Sequence, residues 1–181
     1  MSDLKRLLAC VGVVAALGGC STNIHEKPET IVPTTQRLGL FPVVAMRPLT
    51  VEKMEGDSGD KAAVDHIRRT LQQCMSMVFP GMRTDAEPVA PGIGALMIEP
   101  TIVELKKVSG AERFWIGAMA GSSAALLRMR YIDVDRGTEL AAPVFYAKAN
   151  AWGGGATFGA TDNAMLSRLT DQACDYSRNN K

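Results

Sequence analysis

Apolar residues recur at helical spacing in two stretches of the chain and alternate with polar ones in others, and these patterns outline a fold. Between Lys61 and Phe79, Val64, Ile67, Leu71, Cys74, Met75 and Val78 share one stripe, while Asp65, Arg68, Arg69, Gln72 and Gln73 lie off it. That spacing predicts an amphipathic helix, with Asp60 as its N-cap and Pro80-Gly81 as its end. A second helix, opened by Thr161 or Asp162 and running to Arg178, buries Met165, Leu166, Leu169, Ala173 and Tyr176. Leu127, Met129 and Tyr131 alternate with Arg128 and Arg130, so Ser123–Asp135 predicts a strand with one oily and one wet face. Glu139–Ala151 alternates in the same way. Two further strands are expected over Gly39–Ala45 and Ala95–Val108. Prolines 42 and 48 shorten the first or confine it to an edge, and Pro100 marks a bulge in the second. Asp135-Arg136-Gly137-Thr138 reads as a tight turn with Gly137 at positive φ.

The order is β-α-β-β-β-α. A strand–helix–strand crossover makes the first two strands parallel, and hairpins then reverse the third and restore the fourth. The expected fold is α+β: a two-layer sandwich with a four-stranded mixed sheet and two parallel helices packed on one face. Cys74 and Cys174 fall at matching depths in the two helices, thirteen residues past each expected start. They could form a disulfide if the helices are neighbours, or remain two free buried thiols.

The start of the chain follows another logic. Lys5 and Arg6 precede an apolar run, Leu7–Leu17, of only eleven residues. A helix spanning a bilayer needs about 20. A basic start, a short apolar middle and small residues after it describe a secretory signal peptide. Its end, Leu17-Gly18-Gly19-Cys20, resembles the lipobox of bacterial lipoproteins. The resemblance implies cleavage before Cys20, a diacylglycerol on its thiol, and usually acylation of the freed amine. Each buried methylene contributes ~0.8 kcal/mol, so several chains anchor a protein that spans nothing. In that family a residue other than Asp after the lipidated Cys, here Ser21, implies the inner leaflet of the outer membrane, facing the periplasm. The expected organisation is a signal peptide over 1–19, a lipidated Cys and polar tether over 20–37, and a single α/β domain over 38–178.

Charge changes the picture only by exclusion. With 20 basic and 19 acidic residues and no basic stripe, nucleic acid is not an expected partner. An oxidising periplasm favours bridging of Cys74 and Cys174.

Ala111–Leu127, AERFWIGAMAGSSAALL, is glycine-rich and apolar. It reads as an ordered loop or bent strand, with surface docking through Phe114 and Trp115, or membrane insertion, as alternatives. With the turn and strand that follow, it resembles proteobacterial lipoprotein domains of unknown function. Their recurring pattern is matched by Arg113, Gly117 and Gly121, Asp133 and Gly137, and Gly153 to Gly155, within a likeness spanning roughly 38–177. The resemblance implies an envelope location and an α/β domain, and no reaction.

Catalytic chemistry is sparse. His25 falls in the tether, and His66 falls off the helical stripe and is expected in solvent, with no serine evident beside it. No zinc-type spacing of His and Cys occurs. Gly153-Gly154-Gly155 lacks the Lys of a phosphate loop, since none occurs between 149 and 180. Asp133, Asp135 and Glu139 could hold a cation, but read more simply as a solvated strand end. The expectation is therefore a non-enzymatic lipoprotein without cofactors beyond the lipid on Cys20, anchored to a membrane and binding another envelope protein. Phe114, Trp115, Trp152 and Phe158 are its candidate contacts, because aromatic side chains anchor interfaces. The alternatives are a subunit of an oligomeric or channel-forming envelope complex, and a ligand-binding or hydrolase domain with an unrecognised cleft around His66 or Asp133.

Overall fold

A computed structural model describes residues 31–55, 59–84, 87–106, 122–149 and 160–181. Seven strand segments and two long helices occur among them, in the order β1 (Val43–Met46), β2 (Thr50–Val51), β3 (Met54–Glu55), α1 (Gly59–Val78), β4 (Ala95–Lys106), β5 (Ala124–Asp133), β6 (Thr138–Ala141), β7 (Val144–Lys148) and α2 (Ala160–Asn179). The segments occupy four rows. β1, β2 and β3 all run parallel to β4, which pairs antiparallel with β5, and β6 and β7 both pair antiparallel with β5. The sheet is therefore mixed as expected, but each outer strand is broken into pieces. Proline accounts for two of the three breaks: Pro48 lies between β1 and β2, and Pro143 between β6 and β7, while Glu52-Lys53 separates β2 from β3. The ladders carry on across the two proline gaps through Arg47 N–H to the Ile98 carbonyl (2.9 Å) and Met129 N–H to the Pro143 carbonyl (3.0 Å), and across the third through Glu52 N–H to the Ile102 carbonyl (2.9 Å) and Leu105 N–H to the Lys53 carbonyl (3.1 Å).

Pro100 sits in a central strand without cost to the ladder. It faces Met129 across the β4–β5 pair, and Met129 sends its own N–H the other way, to Pro143. The pair thus exchanges no backbone bond, and the amide that Pro100 lacks would have faced the gap between β1 and β2. The bulge expected at Pro100 falls instead between Ile102 and Glu104. There it resets the alternation, so that Leu96, Ile98 and Ile102 before it and Leu105 after it all face the same core.

That core joins one sheet face to both helices. Ala125, Leu127, Met129, Tyr131, Phe145 and Ala147 pack with Ile67, Leu71 and Met75 of α1 and with Leu166, Leu169 and Ala173 of α2. Every apolar position of the two helical stripes is buried. The helices run parallel, since His66 meets Ser167, Cys74 meets Cys174, and Lys181 reaches the Val78 carbonyl in the same order along both. On the far face a small cluster of Ala45 and Met97 is covered by Val89, Ile132 and Val134.

Three expectations need correction at their boundaries. Gly39 and Leu40, the start of the first predicted strand, belong to a 3-10 turn over Leu38–Leu40, held by the Leu38 N–H on the Asn180 carbonyl at 2.8 Å, and the strand begins at Val43. Asp60, Thr161 and Asp162 lie inside the helices rather than capping them. The polar tether ending at Arg37 is docked over its described part: the Tyr176 hydroxyl donates to the Val32 carbonyl (2.8 Å), and the Thr34 N–H donates to Asn180 Oδ1 (3.0 Å). No pattern of side chains announces such a segment, because its own backbone supplies much of the binding.

Candidate functional site

β3, β4 and β7 finish, and β5 begins, in one row across the sheet. The register pairs Glu55 with Lys106, Lys106 with Ala124, and Ala124 with Lys148. Both helices start at this end, α1 following β3 and α2 following β7. The row is held firmly: the Ala149 N–H donates to the Ser123 carbonyl (2.8 Å), and Arg168 Nη2 donates to the Lys148 carbonyl (3.0 Å). The stretches that carry Phe114 and Trp115, and Trp152 and Phe158, connect to this row at Lys106, Ala124 and Lys148. Those four aromatic residues lie outside the described residues, as do Cys20, His25, Arg113, Gly117, Gly121 and Gly153 to Gly155.

Cys74 and Cys174 are joined by a disulfide, with α-carbons 6.2 Å apart. One helix stretch away on the same seam, His66 Nε2 lies 3.1 Å from Ser167 Oγ. His66 is half-buried rather than solvated, and the serine that sequence reasoning missed comes from the other helix. The cysteine pairing held the signal: parallel helices offset by 100 residues bring position 66 beside 166 and 167. Asp65 ion-pairs with Arg68 at 2.6 Å, so that carboxylate does not orient the imidazole.

Asp133 also departs from its expected place. Its side chain is only 3% exposed and organises the β5–β6 turn. Its Oδ1 accepts the Asp135 and Arg136 N–H groups (3.0 and 3.1 Å), and its Oδ2 accepts Arg136 Nη1 (2.8 Å). Burial pushes this carboxyl upward, but the hydrogen bonds and charge of Arg136 outweigh it and leave the pKa below the ordinary carboxylate value. Gly137 takes the expected positive φ, +62°. Asp135 accepts the Gly92 and Gly94 N–H groups (2.8 and 2.9 Å), pinning the loop before β4 to this turn. Gly94 is needed there twice over, at φ +69° and with a Cβ site only 3.0 Å from Pro42. Glu139 pairs with Arg130, which also holds Glu99, at 2.7 and 2.8 Å. The three acids thus serve three separate structural roles. Among the described residues, no group of three or more His, Cys, Asp and Glu side chains is placed to hold a metal ion.

The open sheet face is laced with charge. Arg130 bridges Glu99 and Glu139, Arg128 pairs with Glu52, and Lys53 pairs with Glu104. Two clefts are described. One, of about 330 Å³, lies between residues 38–44, Phe79–Arg83 and Lys181. The other, of about 300 Å³, lies between the docked arm at 31–35 and residues 140–144. Neither is lined by His66, Ser167 or Asp133. Among the described residues no helix is long and apolar enough to cross a membrane.

Several solved structures are similar. A PelC dodecamer from Paraburkholderia phytofirmans is 13% identical, with 82% of this chain and 98% of that chain covered and a TM-score of 0.47. Hypothetical protein CT253 from Chlamydia trachomatis is 14% identical over 77% of this chain and 99% of that chain, with a TM-score of 0.45. Protein XCC0632 from Xanthomonas campestris is 7% identical over 88% of this chain and 94% of that chain, with a TM-score of 0.46. No curated protein matches the chain. A family model covers the strands that build the row, the turn organised by Asp133, and α1: it matches residues 47–156, and the chain belongs to that family, described as a domain of unknown function (DUF4410).

Proposed function

We propose that this chain is a lipoprotein of the bacterial envelope, lipidated at Cys20 and held on the inner leaflet of the outer membrane. Its α+β domain binds another envelope protein in the periplasm and catalyses no reaction. The observation that carries the binding reading is the register row Lys106–Ala124–Lys148. Two stretches far apart in sequence, carrying Phe114 and Trp115 in one and Trp152 and Phe158 in the other, are tied to adjacent points of one rigid sheet. A rigid base is what a paired aromatic contact needs, because large side chains held in place anchor an interface at low entropic cost.

The anchor is tested by mass: the mature protein should begin at Cys20 and carry lipid, and Cys20→Ser should accumulate with residues 1–19 attached. The binding surface is tested by a photocrosslinker at position 115 in living cells, with the captured species identified by mass. Replacing Trp115 and Trp152 together with Ala should abolish recovery of that species. Unchanged recovery would remove this surface from consideration.

A further inference from the structure

We infer that the thioether at Cys20 directs the pairing of Cys74 with Cys174, so that lipidation comes before oxidation in the maturation of this chain. The inference rests on lipidation of Cys20 and gives that modification a second role.

The native bond joins residues 100 positions apart. Once the helix seam is packed, it is closed to exchange. Cys74 is 9% exposed and Cys174 2%, and both belong to the core with Leu71, Met75 and Ala173. A third thiol has no path there to line up with either sulfur, as exchange requires. Pairing is therefore decided while α1 and α2 are still apart.

The topology makes that interval long. β1, β2 and β3 pair with β4, and α1 buries its stripe against the sheet and α2. An exported chain emerges from its N-terminus, so residues 20–78 reach the oxidising compartment before the elements that fold them. Cys74 then lies on a loose chain, with Cys20 about half as far along it as Cys174. The entropy of loop closure favours Cys20 over Cys174 by ~2.5-fold when all three thiols are present. Before Cys174 emerges, Cys20 has no competitor from this chain. Of the four cysteines in the sequence, the remaining one, Cys10, leaves with the signal peptide.

Oxidation proceeds by thiol–disulfide exchange with an oxidised dithiol protein. The Cys74 thiolate attacks that protein's disulfide and releases one of its thiols. A second cysteine of this chain attacks the mixed disulfide and releases the other. Two protons leave the chain, and two electrons reduce the oxidant. Lipidation takes Cys20 out of this competition. Its thiol gives up a proton, its sulfur bonds the diacylglycerol carbon, and the phosphate that held that carbon in a phospholipid leaves. The thioether has no S–H to attack with and no S–S to be attacked, so Cys174 is the partner left for Cys74.

The test uses the full-length chain in cells, with Cys10→Ser throughout. Leu17→Lys disrupts the lipobox and keeps the Cys20 thiol. Leu17→Lys combined with Cys20→Ser lacks both lipid and thiol. Pulse-labelled chains are alkylated at once and digested without reduction, and their linked peptides and lipid are identified by mass. The Leu17→Lys chain should link Cys20 to Cys74 several-fold more than the lipidated parent does. Adding Cys20→Ser should restore the Cys74–Cys174 link. Both variants lack the anchor, so its loss affects them equally and the thiol alone separates them. Pairing in the Leu17→Lys chain that matches the Cys20→Ser chain would overturn the inference. A parent chain with no lipid on Cys20 would overturn the anchor reading, and this inference with it.

Discussion

The Tyr131 hydroxyl donates to Ser177 Oγ across 2.6 Å, tying the middle of the sheet to the end of α2. The direction of the bond follows from the serine, whose own hydrogen goes to the Ala173 carbonyl at 2.9 Å. Tyr131 is fully buried, and its ring stacks at a tilt on Tyr176, which in turn meets Phe145 edge-on.

The two partners of that bond should respond unequally to deletion. Tyr131→Phe leaves Ser177 bonded to Ala173 and should cost about 1 kcal/mol, the net worth of one hydrogen bond. Ser177→Ala strands a buried phenol and should cost about 2 kcal/mol. Urea unfolding of both variants checks the ranking, and equal losses would contradict the assigned donor.

The disulfide closes a loop of 100 residues between helices that already pack together. Replacing both cysteines with Ala should lower stability by about 2–4 kcal/mol, short of the ~4.7 kcal/mol chain-entropy limit for so long a loop. Thermal unfolding of the oxidised protein, and of the double variant with and without reductant, measures it. The double variant should be insensitive to reductant.

Asp133 makes the fold acid-sensitive. Its pKa in the folded protein lies below the ordinary carboxylate value, with burial opposing the shift and Arg136 imposing it. The stabilisation is therefore present above about pH 4, the value for an unfolded carboxylate, and is lost as pH falls through the lower folded value. Melting temperature should drop across that acid window, and Asp133→Asn should flatten the drop while lowering stability at neutral pH.

Release of the arm has a simple readout. Asn180→Ala removes the acceptor that Thr34 uses through both its N–H and its hydroxyl, at 3.0 and 3.3 Å. Trypsin cleavage after Arg37 should then become several-fold faster while the domain core stays resistant.

The ion pairs of the open face should matter little. Arg130 is 41% exposed, and its carboxylate partners, Glu99 and Glu139, are partly exposed too. Arg130→Ala should cost less than about 1 kcal/mol, and the loss should shrink as salt is added, because exposed pairs are weak and screened.

The element types, their order and the buried face of each helix were legible in the chain. Stripes such as Val64–Ile67–Leu71–Met75 and the alternation of Leu127, Met129 and Tyr131 with two arginines reflect local periods of 3.6 and 2, which any window of sequence displays. The cysteine depths also carried long-range information, since parallel helices of equal phase leave few ways to pair them. The bulge after Ile102, the carboxylate of Asp133 turned into its own hairpin, the His66–Ser167 contact and the docking of residues 32–38 were decided by tertiary structure. Each depends on which groups, most of them in the backbone, find partners once distant segments are side by side. The backbone carbonyls and N–H groups among those partners are common to nearly all residues, so they leave little mark in residue type.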